Sequence, residues 1–113
     1  MPSLSLLVLK TNQLDVLREF YARLGFVFQQ EQHGRGPIHF SAPLGAGVLE
    51  IYPLPDGVVP DATTRLGFAV DDLPAALTEL EEPPTAKKTA WGWRAVVRDP
   101  DGRAVELYQK RFA

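Results

Sequence analysis

The sequence predicts an α+β fold of two tandem βαβββ modules, whose curled mixed sheets surround a concave cavity. Three observations lead there. The order strand, helix, strand, strand, strand can be read twice along the 113 residues. Leu49-Glu50-Ile51-Tyr52 and Val105-Glu106-Leu107-Tyr108 each close one half, 56 residues apart, which marks an internal repeat. A proline-rich connector, Pro53–Asp61 (PLPDGVVPD), separates the two readings.

Leu4–Lys10 (LSLLVLK) is a short apolar run and reads as a buried strand. Thr11-Asn12 can cap the helix that comes next. Leu14, Leu17, Phe20, Tyr21 and Leu24 recur at helical spacing, Arg18, Glu19 and Arg23 form the exposed face, and Gly25 stops the helix. Phe26–Gln32 (FVFQQEQ) is aromatic and β-branched and predicts a strand. His33–Pro37 is a turn, Ile38–Ala42 (IHFSA) a strand, Pro43–Gly47 a turn and Val48–Tyr52 a strand.

The order then starts again. Thr64–Val70 predicts a strand, and Asp71 or Asp72 caps a helix that runs to about Leu80. Glu81–Thr85 (EEPPT) breaks it. Trp91–Arg98 and Ala104–Gln109 are strands around the turn Asp99-Pro100-Asp101-Gly102, and Ala86–Thr89 leaves room for a short strand before them. Lys87-Lys88 reads as a solvated strand edge. The chain is expected to be one domain, with module one at about 3–53, a connector at 54–62 and module two at about 63–113. Neither half could bury its own sheet face alone.

Composition narrows the function. Apolar residues make up 45% and charged residues 23%, the balance of a globular chain. The net charge of −2 offers no basic surplus for nucleic acid or an anionic membrane. There is no cysteine, so disulfides, iron–sulfur clusters, thiolate zinc sites and cysteine nucleophiles are excluded. Leu4–Leu9 is shorter than a signal-peptide core, and no stretch approaches the roughly 20 apolar residues that span a bilayer. A soluble, cytoplasmic protein is expected.

Several segments resemble the vicinal oxygen chelate superfamily, which includes glyoxalase I, extradiol dioxygenases and the fosfomycin- and bleomycin-resistance proteins. They are Phe20-Tyr21-Ala22-Arg23-Leu24-Gly25-Phe26, Val48-Leu49-Glu50-Ile51-Tyr52, Leu66-Gly67-Phe68-Ala69-Val70-Asp71-Asp72-Leu73 and Arg98-Asp99-Pro100-Asp101-Gly102-Arg103-Ala104-Val105-Glu106-Leu107. In order and at this spacing they cover nearly the whole chain. The resemblance implies the fold, not a reaction. In metal-dependent members, the first and last strands of each half supply one ligand apiece. Carried over, these positions are Leu6 and Glu50 in the first half, and Arg65 and Glu106 in the second. Leucine has no donor atom, and arginine stays protonated and offers no lone pair. Two carboxylates alone make a poor divalent site. The expectation is therefore no cofactor. Any metal would need a relocated set of His39, Glu50 and Glu106.

The two histidines, His33 and His39, flank Gly34-Arg35-Gly36-Pro37. That run lacks the spacing and helix start of a phosphate loop and reads as a turn. If Ala42–Pro43 and Gly47–Val48 close the hairpin, Ser41 lies opposite Glu50. His39, Ser41, Glu50 and Tyr52 then share a face. In the last hairpin, Val97 would face Ala104, Ala95 would face Glu106 and Trp93 would face Tyr108. Trp91, Trp93, Tyr52 and Tyr108 would then line a pocket with Glu50, Glu106 and His39, and Arg65 would pair with Glu106 or Glu50 where a metal would stand. The same groups could equally serve only to stabilise a core.

Two functions fit these residues. One is a metal-free protein of the glyoxalase/bleomycin-resistance kind that binds a small aromatic or amphipathic molecule. The other is a divalent-metal-dependent lyase or dioxygenase using His39, Glu50 and Glu106. A homodimer is expected in either case, because relatives of this length commonly form one.

Overall fold

The computed structural model describes residues 1–110; residues 111–113, the end of the expected second module, lie outside the described residues. The chain divides into two compact units, one spanning Met1–Asp61 and one beginning at Ala62. Each holds one helix and one four-stranded mixed sheet, in the order strand, helix, strand, strand, strand. No helix among the described residues is long and apolar enough to cross a membrane.

The first unit contains β1 (Leu6–Thr11), α1 (Leu14–Arg23), β2 (Gln29–Glu31), β3 (His39–Leu44) and β4 (Gly47–Pro53). Its sheet order is β1-β4-β3-β2, with β1 parallel to β4 and the other pairs antiparallel. A parallel pair needs a crossover, and this one carries α1. Leu17 and Tyr21 of α1 are buried together with Leu9, Ala42, Leu49 and Ile51 of the sheet. The residues between them in sequence, Val8, Ser41 and Glu50, are only half-buried and point to the other face. The sheet therefore has one face under the helix and one that is more open. Gly47 marks a close crossing of chain. A Cβ there would stand 2.8 Å from the carbonyl oxygens of Leu4 and Ser5.

Three local expectations change. The first residue flanking α1 is Gln13, which makes no side-chain cap. Thr11 is instead the buried end of β1, and its Oγ1 accepts the Gln13 N–H at 3.1 Å. The expected strand Phe26–Gln32 shrinks to Gln29–Glu31, because Phe26 is drawn against Tyr21, ring centroids 6.2 Å apart. Arg18 leaves the exposed face of α1 and lays its guanidinium over the Phe40 ring at 5.0 Å. The ring face attracts the cation, whose Nε is buried there without a hydrogen-bond partner among the described residues.

The second unit contains β5 (Leu66–Ala69), α2 (Leu73–Glu79), β6 (Lys87–Lys88), β7 (Gly92–Arg98) and β8 (Ala104–Lys110). The sheet order β5-β8-β7-β6 repeats that of the first unit. Asp72 caps α2, its Oδ1 accepting the Ala75 N–H at 3.0 Å. Leu73 and Leu77 are buried with Ala95, Val97, Val105 and Leu107. The buried Gln109 side chain ties helix to sheet by accepting the Leu73 N–H at 2.6 Å.

The β7–β8 hairpin corrects the expected register. Asp99 and Arg103 pair through their backbones at 3.0 Å, which leaves a three-residue loop, Pro100-Asp101-Gly102. Gly102 takes φ +92°, a conformation that side chains rarely adopt. Arg98 therefore pairs with Ala104, Val96 with Glu106 and Arg94 with Tyr108. A slip of one residue exchanges the two faces of a strand. Trp93 now pairs with Gln109 and Ala95 with Leu107, on the face opposite Glu106.

A buried ionic network holds this loop. The Arg103 side chain is buried, and its Nη1 lies 3.1 Å from both Asp99 Oδ2 and Asp101 Oδ2. Asp99 Oδ1 also accepts the N–H groups of Asp101 and Arg103, at 2.9 and 3.1 Å. Burial alone would lower the Arg103 pKa; the hydrogen bonds and charges of Asp99 and Asp101 outweigh it and hold the guanidinium above its ordinary value. Removing Asp99 breaks one of the two buried carboxylate contacts of Arg103 and strips the Asp101 and Arg103 N–H groups of their acceptor. Asp99→Ala should cost about 3 kcal/mol, read as a fall in the urea midpoint. An unchanged midpoint would show that the network does not stabilise the fold.

Candidate functional site

In the first unit the open sheet face carries a polar cluster. Glu31 pairs with His39 across β2 and β3, and Ser41 pairs with Glu50 across β3 and β4. Carrying that register one step further sets His39 against Tyr52. Their rings stack at 4.1 Å with an interplanar angle of 10°. His39 is only 1% exposed. Its Nδ1 lies 3.1 Å from the Pro37 carbonyl oxygen, which can only accept, so Nδ1 carries the hydrogen. In the neutral ring Nε2 then offers its lone pair, and the Tyr52 hydroxyl donates to it at 3.2 Å. Glu50 Oε2 and Glu31 Oε1 lie 3.7 and 3.9 Å from the same nitrogen. His33, in the turn before β3, is exposed, with its ring 5.1 Å from that of His39.

Beside the cluster is a shallow cavity of about 340 Å3, lined by Val27, Gln29, Ser41, Ala42, Pro43 and Val48. Gln29, Ser41, Pro43 and Val48 lie on the face of Glu50 by strand pairing. Apolar walls with a few polar groups are the usual make-up of a small-molecule site.

The second unit repeats the geometry with different chemistry. Arg94 stands opposite Tyr108, and Val96 opposite Glu106, as His39 stands to Tyr52 and Ser41 to Glu50. Arg94 Nε binds Glu106 Oε1 at 2.6 Å. Tyr108 donates its hydroxyl to the Trp91 carbonyl oxygen. Arg94 thus holds the place in its hairpin that His39 holds in the first.

The pairing expected of Arg65 is corrected by this geometry. Arg65 is exposed, one residue before β5, and Arg94 makes the ion pair with Glu106. Trp93 is corrected too, since the three-residue loop turns it away from Glu106. Trp91 precedes β7 and is 76% exposed. Glu50, His39 and Tyr52 come together in the first unit, and Glu106 and Tyr108 share a face in the second. Arg94 and Glu31 were missed. Aligning the repeats on Glu50 and Glu106 with the correct loop length would have found Arg94. Glu31 needed the β2–β3 pairing, which a three-residue strand hardly signals.

The four positions where the family resemblance puts metal ligands do not fit a metal. Leu6 and Arg65 contribute no donor, and the Glu106 carboxylate is already bound by Arg94.

No protein-family model matches the chain, and no curated protein does. Solved structures match it over nearly its whole length. A glyoxalase/bleomycin resistance protein from Streptomyces sp. CB03234 is 26% identical, with a TM-score of 0.69 over 95% of this chain and 100% of that one. A glyoxylase/bleomycin resistance protein/dioxygenase domain from Frankia sp. EAN1pec is 23% identical, with a TM-score of 0.65 over 98% and 99%. TnmS3, an antibiotic binding protein from Streptomyces sp. CB03234, is 22% identical, with a TM-score of 0.69 over 97% of each chain. Taken with the two βαβββ units and their repeated strand order, these likenesses show that the chain has the fold of the vicinal oxygen chelate superfamily, in its glyoxalase/bleomycin-resistance/dioxygenase form.

Proposed function

We propose that the protein binds a small aromatic or amphipathic molecule and uses no metal at Leu6, Glu50, Arg65 and Glu106. The Arg94–Glu106 pair carries this reading. A guanidinium 2.6 Å from the carboxylate already satisfies the charge a divalent ion would otherwise balance. The cavity beside Gln29 and Ser41 supports the first part of the proposal, and TnmS3, a protein of this fold, is described as antibiotic-binding. Val27, Pro43 and Val48 would take the apolar body of the ligand, and Gln29 and Ser41 its polar groups.

Tyr52 serves this reading by holding the His39 ring in place with its hydroxyl hydrogen. Burial first, then the charges of Glu50 and Glu31, raise its pKa above the ordinary 10.0, so the phenol keeps its proton. The proposal includes a homodimer. Leu4, Leu6 and Val27 in the first unit, and Trp91 and Val96 in the second, leave large apolar groups exposed.

Three measurements test these points. A neutral naphthylamine dye should bind the purified chain equally well with and without EDTA, and Ser41→Trp, which fills the cavity, should weaken it about tenfold or more. Dye affinity that collapses in chelator would sink the metal-free reading. In an absorbance titration, the phenol lost on Tyr52→Phe should titrate above 10.0. A raised folded-state value means the folded chain holds its proton longer than the unfolded one. The associated stability is complete below the unfolded value and fades as pH climbs through the folded one. A difference titrating at or below 10.0 would contradict the assignment. Light scattering at micromolar concentration should give twice the chain mass, and a monomer would refute the dimer.

A further inference from the structure

The β2–β3 hairpin gathers groups that the ligand cavity does not use. Glu31, His33 and His39 each turn one potential ligand atom toward the others, all within 4.8 Å. Among the described residues, the Glu31 and Glu50 carboxylates approach one basic side chain, His39, whose Nε2 lies 3.9 and 3.7 Å away. Two carboxylates thus converge on an imidazole lone pair with no lysine or arginine paired to either. With the ring neutral, such a cluster lacks a positive charge at its centre.

The supporting geometry favours a metal cation. The Pro37 carbonyl fixes the His39 tautomer and aims Nε2 at Glu31 and Glu50. A backbone carbonyl on the distal nitrogen commonly orients histidine ligands in this way. The turn that carries His33 is closed by Gly36 N–H on the His33 carbonyl at 2.9 Å, and by the Gln32 side chain on the Gly36 carbonyl at 3.0 Å. One imidazole is therefore buried and held, while the other is exposed and able to close in. Bonds of roughly 2.1 Å need ligand atoms about 3.4 Å apart, so movement of the His33 side chain by about an ångström completes the set. Two imidazole nitrogens and one carboxylate suit zinc and its first-row neighbours rather than magnesium or calcium, and they leave coordination positions open.

We propose that Glu31, His33 and His39 form a binding site for a divalent transition-metal ion, with Glu50 adding negative charge beside it. The site lies within the first unit and uses neither Arg65 nor Glu106. The Tyr52 hydroxyl and the metal would compete for the same lone pair on His39 Nε2.

The test uses the full chain without a purification tag, titrated calorimetrically with Zn2+ and spectroscopically with Co2+. The expected result is one ion per chain. Glu31→Gln and His33→Ala should each weaken binding about tenfold or more, as loss of a ligand does. Both residues are at the hairpin surface, and circular dichroism confirms that the variants fold. Tyr52→Phe should bind at least as tightly as the parent, because it removes the competitor. Affinity unchanged in His33→Ala and Glu31→Gln would overturn the proposal, as would no binding at 0.1 mM metal, about the weakest Kd that would still count as specific. Loss in Glu106→Gln with retention in His33→Ala would move the ion to the family positions. That outcome would overturn this site and the metal-free reading together, whereas failure of the hairpin site alone leaves dye binding in EDTA intact.

Discussion

The three-residue loop of the β7–β8 hairpin decides which side chains meet on the open face of the second sheet. Asp99 and Arg103 pair across it, Gly102 supplies the one backbone angle the turn requires, and the buried Arg103 clamps both aspartates. With the loop length fixed, alternation does the rest. Glu106 meets Arg94, Tyr108 shares their face, and Trp93 goes to the other side. In the first unit, the tight turn at Gly45-Ala46 sets His39, Ser41, Glu50 and Tyr52 on one face by the same rule.

Two copies of one scaffold have thus taken on different chemistry at equivalent points. In its neutral form the His39 ring, oriented by a backbone carbonyl, presents an Nε2 lone pair that accepts from Tyr52. Arg94 carries a permanent charge and no lone pair at all. The glutamate and tyrosine beside each are the same residue types, so the contrast between the two hairpins lies in the cross-strand residues, His39 and Ser41 in the first and Arg94 and Val96 in the second.

Much of the fold was legible because it rests on local pattern. The helical spacing of Leu14, Leu17 and Tyr21 and the repeated Glu-x-Tyr ending fixed the modules and their order. What failed was counting through a loop. Reading Asp99–Gly102 as a four-residue turn moved every later partner by one, so Trp93 was set beside Glu106 and Arg94 went unnoticed. Arg65 looked like the natural counter-charge because its place in the repeat was right, but it stands ahead of β5 and is exposed. The Glu31–His33–His39 cluster depends on β2 closing against β3, and the aromatic pull of Phe26 on Tyr21 reduces β2 to three residues.

The outer edge of the second sheet has a consequence for how the protein behaves in crowded solution. An unpaired edge strand is a template on which another chain can add, and long, flat, apolar edges seed fibres. Here the edge is β6, two residues long, and both are exposed lysines. A docking strand would find little backbone to match and two ammonium groups to desolvate. The sheet can stay open along that side without inviting strand-by-strand growth.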